Sequence, residues 1–190
     1  MKTLAICLSG SLRSLEYTIN NFKETIINPN KNTFNILIFL FTPDDDFSNK
    51  IDLYKENGIT IFYIIKKDVD IKLPNINFTN ITINKKTDKC SGSGLYGYIQ
   101  QLYGIKKVFD IVQEYEKFNN ISIDYLCRMR TDVIFREPYY FNKYDIDNYV
   151  IIPNFHYWDG INDRFAIGTY KNMSVYMNMF TNIYNPIFNN

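Results

Sequence analysis

The first 65 residues alternate between short apolar runs and stretches with helical periodicity. Residues 4–8, 34–41 and 60–65 are the apolar runs, and their length and β-branched or aromatic content predict buried strands. Residues 12–27, followed by Pro29, and residues 48–57, ending at Gly58, have the pattern of helices. This β-α-β-α-β order predicts an α/β, Rossmann-like fold: a mostly parallel central sheet with helices on both faces.

The second half of the chain continues the same alternation. Residues 95–116 carry the longest apolar helical stripe, residues 124–130 and 149–153 are predicted strands, and residues 170–183 are a predicted terminal helix. Residues 78–83 are a further candidate strand, and residues 85–94 are a predicted polar loop. No repeat or linker divides the 190 residues, so we expect residues 1–190 to form a single domain, alone or within a longer protein.

Composition excludes several classes of function. The formal net charge of +1 argues against a nucleic-acid-binding surface. Three cysteines, at 7, 90 and 127, match neither a zinc site nor a disulfide framework, and a single histidine, His156, excludes multi-histidine metal sites. The N-terminal apolar run is too short for a signal peptide or a membrane span. We therefore expect no membrane span and a cytoplasmic location.

The turn after the first predicted strand reads Ser9-Gly10-Ser11-Leu12-Arg13. In open parallel sheets, ligands bind beyond the carboxyl ends of the strands. A glycine turn followed by a helix can present backbone N–H groups to an anion, and Arg13 can pair with phosphate. The turn is neither a GxGxxG fingerprint nor a P-loop. A plain strand-to-helix turn with a surface arginine is the alternative interpretation.

A second polar feature closes the middle strand, where Arg128 and Arg130 precede Asp132. The two arginines lie on one face because strand side chains alternate. A carboxylate at this position can hold a divalent cation through its oxygens, and the cation can neutralise a diphosphate leaving group. The alternative is a structural Arg–Asp ion pair at the edge of the sheet.

Two more acidic segments are candidates for chemistry. Residues 158–168 contain Trp158, Asp159 and Asp163 in one loop, which could supply a sugar-stacking aromatic ring and a carboxylate base for an acceptor hydroxyl. A surface pair of Asp163 with Arg164 is the alternative. Residues 44–46 are three consecutive aspartates, for which capping of the next helix is favoured over metal binding.

Taken in order along the chain, four motifs resemble those of a known enzyme class. They are Ser9-Gly10-Ser11-Leu12-Arg13; Gln101-Leu102-Tyr103 with Tyr115-Glu116; Tyr125 with Arg128 to Asp132; and Asp163-Arg164-Phe165-Ala166-Ile167-Gly168. This order resembles small GT-A-type glycosyltransferases of large DNA viruses, especially those acting on the capsid glycans of chlorella-type viruses, and related polysaccharide-synthesis transferases. The match spans nearly the whole chain.

The resemblance implies a GT-A fold, a nucleotide-sugar donor (UDP- or dTDP-linked preferred), a glycan or glycoprotein acceptor, and Mn²⁺ or Mg²⁺. It assigns Asp132 to the metal and Asp163, or second Asp159, to the acceptor base of an inverting enzyme. The donor-binding residues that it implies are Ser9, Gly10, Ser11, Arg13, Gln101, Arg128 and Arg130.

The sequence departs from that class at one position. Arg130 stands where the usual Asp-x-Asp motif has its first acid. A metal would then depend on diphosphate oxygens and water, or Arg130 itself would supply part of the positive charge. The missing acid favours, as an alternative function, a nucleotide-sugar-binding module without catalysis. A nucleotidyltransferase would usually need a basic glycine-rich loop after the first strand, and residues 9–13 match such a loop poorly.

Overall fold

A computed structural model describes residues 1–66, 93–155 and 162–182. These residues form a five-stranded sheet in the order β3-β2-β1-β4-β5. The strands are β1 (Lys2–Ser9), β2 (Phe34–Pro43), β3 (Phe62–Lys66), β4 (Tyr125–Arg130) and β5 (Phe165–Thr169). The pairs β1–β2, β1–β4 and β2–β3 are parallel, and β4–β5 is antiparallel. The prediction of an α/β fold with a mostly parallel sheet is confirmed.

The helices follow the strands in the predicted order. Helix α1 (Leu15–Phe22) continues through a π-helical turn (Lys23–Ile27) into the short α2 (Asn28–Asn30), and a 3₁₀ turn (Ser48–Ile51) leads into α3 (Asp52–Glu56). Helix α4 (Ser93–Asn119) precedes β4, a 3₁₀ turn (Phe141–Lys143) follows it, and α5 (Tyr170–Met177) follows β5. No helix in these ranges is long and apolar enough to cross a membrane.

Strand β1 shows how the sheet separates two apolar cores. Its side chains alternate between the two faces, so that Leu4, Ile6 and Leu8 join one core while Ala5 and Cys7 join the other. The first core contains the apolar side of α1 and the second contains α4 and α5. The helical residues buried in them include Leu15, Ile19, Phe22 and Tyr54 on one face, and Ile105, Val108, Phe109, Val112, Met173, Tyr176 and Met177 on the other. Helices on both faces are therefore confirmed.

The region around β5 differs from the sequence prediction. Residues 149–153 are not a strand: Ile151 alone bridges to Ile167, through hydrogen bonds of 2.8 and 3.0 Å. Pro153 lacks the N–H group that a continuing ladder would need. The short apolar run at 165–169 forms the strand instead. Residues 149–150 lie close to β5 at Gly168, which has no side chain. A Cβ at position 168 would be only 3.1 Å from the carbonyl oxygen of Tyr149.

Other boundaries differ by a few residues. Helix α1 begins at Leu15 rather than at residue 12, and α4 begins at Ser93, inside the segment predicted as a loop. The candidate strand at 78–83 lies outside the described residues, as does most of the predicted loop at 85–94. In the 44–46 segment, the Asp45 carboxylate accepts a hydrogen bond from the Phe47 N–H at 3.0 Å, just before the 3₁₀ turn. Neither the 3₁₀ turn nor α3 has a side-chain cap, so the predicted capping by these aspartates is not observed and the bond is a local turn contact.

Candidate functional site

A cavity of about 270 Å³ lies beyond the carboxyl ends of β1, β2 and β4, with α4 as its wall. This is the edge at which open parallel sheets bind ligands. Helix α4 packs directly on the strand ends at Gly104, where a Cβ would make ordinary van der Waals contacts of 3.6 Å with the Ser9 Cβ and 3.7 Å with the Phe41 ring. The lining residues are Ser9, Gly10, Ser11, Arg13, Phe41, Pro43, Lys66, Gly97, Gln100, Gln101, Tyr103, Gly104, Arg128, Arg130, Thr131 and Asp132.

The turn after β1 has an unusual backbone. Gly10 has φ +139°, and its N–H donates to the Phe41 carbonyl at 3.2 Å. The Arg13 N–H donates to the Ser11 hydroxyl oxygen at 3.3 Å. These two amide groups are therefore used within the protein, and helix α1 starts further along the chain. The predicted cradle of N–H groups is smaller than expected, and the Arg13 side chain is the main group that the turn offers to an anion.

Gly10 cannot be replaced without strain, and we expect Gly10→Ala to destabilise the fold by about 1–3 kcal/mol. Residues that carry a Cβ rarely adopt the φ found at position 10. The added Cβ would also lie 3.2 Å from the Thr131 hydroxyl oxygen. That hydroxyl is itself held by a 2.7 Å bond to the Ser11 carbonyl. Urea unfolding measures the effect.

The matched control is Gly97→Ala on the α4 wall, where the added methyl meets open space and helix propensity predicts a gain in stability of up to about 1 kcal/mol. Equal stability of Gly10→Ala and wild type would contradict this account.

Arg128 borders the cavity from beneath. It is 0% exposed, with one terminal N–H group donating to the Arg164 carbonyl at 3.2 Å and the other to the Ser9 hydroxyl at 3.5 Å. Its Nε has no hydrogen-bond partner among the described residues. Burial lowers the pKa of the guanidinium, while the neighbouring Tyr176 and Asp163 oppose that change. An arginine nevertheless keeps its proton, so a positive charge is held in a poorly solvated site.

Asp132 is paired with an arginine rather than free. Both of its oxygens accept hydrogen bonds from Arg130, at 2.8 Å from Nε and 2.7 Å from Nη2, and Arg13 lies 3.9 Å away. Hydrogen bonding from Arg130 is the main cause that holds the pKa of the Asp132 carboxyl below its usual value. The ion pair that the sequence left open as an alternative is therefore present.

The described residues around Asp132 do not provide the ligand set that a divalent cation prefers. Mn²⁺ and Mg²⁺ sites use several oxygen ligands, and Asp132 is the one carboxylate among the described residues that line the cavity. No group of three or more histidine, cysteine or acidic residues comes together within 1–66, 93–155 and 162–182. Both Asp132 oxygens already accept hydrogen bonds from Arg130, and no second described carboxylate lines the cavity, so we derive no chemical step through a metal ion.

Removing the Asp132 charge should lower stability in a pH-dependent way. A carboxyl with a lowered folded-state pKa contributes stability above its unfolded value, near 3.8, and loses it as the pH falls through the folded value. We expect Asp132→Asn to reduce the free energy of unfolding by about 1 kcal/mol at pH 7 and by progressively less below pH 3.8. Urea unfolding across this range measures it, with exposed Asp46→Asn as control. A difference that does not change with pH would contradict the ion-pair assignment.

Asp163 lies at the same edge of the sheet. Its carboxylate is 4.0 Å from Nη1 of Arg130, so that Arg130 lies between Asp163 and Asp132. Its side chain is 37% exposed, which leaves the carboxylate accessible to solvent. The second candidate base, Asp159, lies outside the described residues, as do Trp158 and His156. The geometry thus gives Asp163 a place near the cavity and leaves its chemical role a prediction.

Helix α4 supplies the polar and aromatic wall of the cavity. The Nε2 atom of Gln101 is buried and has no acceptor within the described parts of the chain. The Tyr103 and Phe41 rings lie edge to face at 6.0 Å. A buried amide without a partner is a group that a ligand oxygen can satisfy. The predicted involvement of Gln101 therefore has a structural basis.

Several lining residues were not predicted from the sequence. Lys66 ends β3, beside β2, and therefore reaches the same edge as Arg13. Thr131 contributes through its hydroxyl bond to the turn after β1. Phe41 and Pro43 end β2. The signal that could have found them is their position at the ends of parallel strands, which the sequence prediction applied to the polar segments at 9–13, 42–46 and 130–132 but not to Lys66 or Phe41.

Comparison with known proteins places the chain in a family. Residues 1–184 match the family described as "Domain of unknown function (DUF7796)". The protein belongs to this family. The matched range includes the cavity, all five strands and the segment around Asp163, so all the residues of the candidate site lie within the family domain. A search of curated proteins found no match.

Proposed function

We propose that this DUF7796 protein is a glycosyltransferase of GT-A type, moving a sugar from a UDP- or dTDP-linked donor to a glycan or glycoprotein. One observation supports the proposal above all others. Residues from three of the four motifs that suggested this activity line one cavity, although the motifs are far apart in the sequence; Tyr115, Glu116 and Tyr125 of these motifs do not line it. The fourth contributes Asp163, 4.0 Å from Arg130 of the third.

The cavity has the two kinds of surface that a nucleotide sugar needs. Arg13, Arg130 and Lys66 offer positive charge to phosphate groups. Phe41 and Tyr103 offer an apolar wall for a base or ribose, next to the unpartnered amide of Gln101. Ligand sites are commonly apolar clefts with a few placed polar groups, and this cavity fits that description.

In the proposed reaction, the Asp163 carboxylate accepts the proton of the acceptor hydroxyl. The acceptor oxygen forms a bond to the anomeric carbon of the donor sugar as the bond from that carbon to the diphosphate oxygen breaks. The nucleoside diphosphate leaves with the electron pair. The arginines at the cavity stabilise the negative charge that develops on it. This scheme applies to an inverting enzyme.

A thermal-shift panel of UDP-, dTDP-, GDP- and CMP-linked sugars tests the donor, with and without Mn²⁺. A ligand that binds only the folded protein at one hundred times its dissociation constant adds about 2.7 kcal/mol of apparent stability. We expect the largest increase in Tm with a uridine or thymidine donor, and release of the nucleoside diphosphate when a glycan acceptor is added. No increase with any nucleotide sugar would contradict the proposal.

The second candidate function is a nucleotide-sugar-binding module without catalysis. The bidentate pair of Arg130 with Asp132 favours it, because this carboxylate is not available as a metal ligand. The two functions differ in one readily measured product. A transferase releases free sugar slowly from its donor by hydrolysis, whereas a pure binding module increases Tm and leaves the donor intact.

The cytoplasmic location is part of the same proposal. Cys7 and Cys127 are free thiols buried in the core. Proteins of reducing compartments keep their cysteines in this state. Fractionation of cells that express the full-length protein checks the location.

A further inference from the structure

We infer that the cavity binds a diphosphate through cationic side chains alone, with no divalent cation between the protein and the ligand. The inference deepens the proposed function, on which its nucleotide part rests. Among the described lining residues, four side chains are cationic and one is a carboxylate. The cationic residues are Arg13, Lys66, Arg128 and Arg130, and the carboxylate is Asp132. Even when the neighbouring Asp163 is added, positive charge remains in excess.

The carboxylate that would attract a metal is already neutralised. Arg130 holds both oxygens of Asp132 at 2.7–2.8 Å, in the bidentate geometry that makes arginine–carboxylate pairs strong. A divalent cation would have to break that pair in surroundings where other arginines repel it. A diphosphate, by contrast, is attracted by the four cationic side chains and is repelled by Asp132 alone among the described lining residues.

The buried charge of Arg128, on β4, adds to the attraction between the cavity and a diphosphate. No oxygen of a described carboxylate lies within 4.0 Å of its guanidinium, and its Nε has no acceptor. Charge in a poorly solvated interior acts over longer distances than charge in water. Arg128 has no directly paired carboxylate among the described residues, so its charge adds to the positive potential of the cavity, while the more distant Asp163 and Asp132 offset part of it.

Arg13 is the group best placed to touch the ligand. Its side chain is 64% exposed, and its contact with Asp132 is long, at 3.9 Å. It can turn toward a bound diphosphate without losing a close partner. A cavity of about 270 Å³ is large enough for a diphosphate and part of a nucleoside.

Inorganic pyrophosphate is the direct probe, because it carries the diphosphate charge without base or sugar. We expect it to raise the Tm of the full chain in EDTA by more than sulfate does at matched ionic strength. Sulfate controls for the general stabilisation by excluded salts. UDP, measured in EDTA and then with Mn²⁺, is the second probe, and we expect similar dissociation constants in both buffers.

Three variants test which residues act. Arg13→Gln, on the exposed turn, should weaken pyrophosphate binding about tenfold, which is the usual effect of losing one charged hydrogen bond. Arg128→Met should weaken it by a similar factor through the loss of the buried charge. Arg136→Gln removes an exposed arginine that does not line the cavity, and it should bind as wild type does.

The outcomes separate this inference from the proposed function. A Tm increase with UDP that needs Mn²⁺ would overturn metal-free binding and leave the transferase proposal standing. A Tm increase with pyrophosphate but with no nucleotide sugar would keep the diphosphate site and contradict the transferase. No Tm increase with either probe, or equal weakening by Arg13→Gln and Arg136→Gln, would overturn the inference.

Discussion

Asp163→Asn should lower the rate of glycosyl transfer about 10²–10⁴-fold while leaving donor binding nearly unchanged. The substitution keeps the shape of the side chain and removes its ability to accept a proton, and general-base catalysis contributes a factor of this size. Asp163 is partly exposed, and its contact with Arg130 is 4.0 Å long, so the fold should tolerate the change. Single-turnover assays at saturating donor measure the chemical step, and thermal shift with the donor measures binding.

The control for this experiment is Asp159→Asn, since Asp159 is the second candidate base. A loss of transfer in Asp159→Asn with full transfer in Asp163→Asn would move the base to position 159. Full transfer in both variants would remove the base assignment for this loop and favour a retaining enzyme. Weakened donor binding in Asp163→Asn would indicate that Asp163 acts instead by positioning Arg130.

Arg128→Met should weaken ligand binding without lowering the stability of the fold. We expect the variant to be as stable as wild type or more stable, by up to about 4 kcal/mol, because well-packed apolar side chains often replace buried charges with a gain. The Arg164 carbonyl would lose its bond from Arg128, but it also accepts the N–H of Arg130 at 3.1 Å and so stays satisfied. Ligand binding should fall sharply, because the charge beneath the cavity is gone.

Urea unfolding and nucleotide-dependent thermal shift are the two measurements for Arg128→Met. The conservative variant Arg128→Lys serves as control, since it keeps the charge and loses the planar fork that reaches the Arg164 carbonyl and the Ser9 hydroxyl. A large loss of stability in Arg128→Met with unchanged binding would show that Arg128 acts as a structural residue.

The sequence predicted the parts of the fold that depend on regular patterns. The apolar run at 4–8 identified β1, and the stripe through Leu102, Ile105 and Phe109 identified the buried side of α4. Because parallel strands end at one edge, the turn at 9–13 and the arginines of β4 could be expected at the same place. Strand β5 was seen only as a short apolar run, since five residues containing a glycine carry little strand signal.

The details of the candidate site depend on side-chain geometry, which the sequence does not determine. Alternation placed Arg128 and Arg130 on one face of β4, but it did not indicate that one is fully buried and the other partly exposed. Both the metal and the ion-pair interpretations of Asp132 were compatible with the sequence. The choice between them depends on the Arg130 rotamer. Lys66 was not considered, because its place at the cavity follows from the order of the strands in the sheet.

The pairing of β1 with β4 joins segments about 120 residues apart in the chain. Residues 2–43 can pair β1 with β2 soon after they leave the ribosome, but the other edge of β1 has to wait for β4. Such long-range parallel pairing forms slowly, because much chain entropy is lost before the contacts are made. Ser9 and Arg128 meet at this seam. The cavity therefore cannot be completed before β4 has been synthesised, and any partial unfolding that separates these two strands abolishes it.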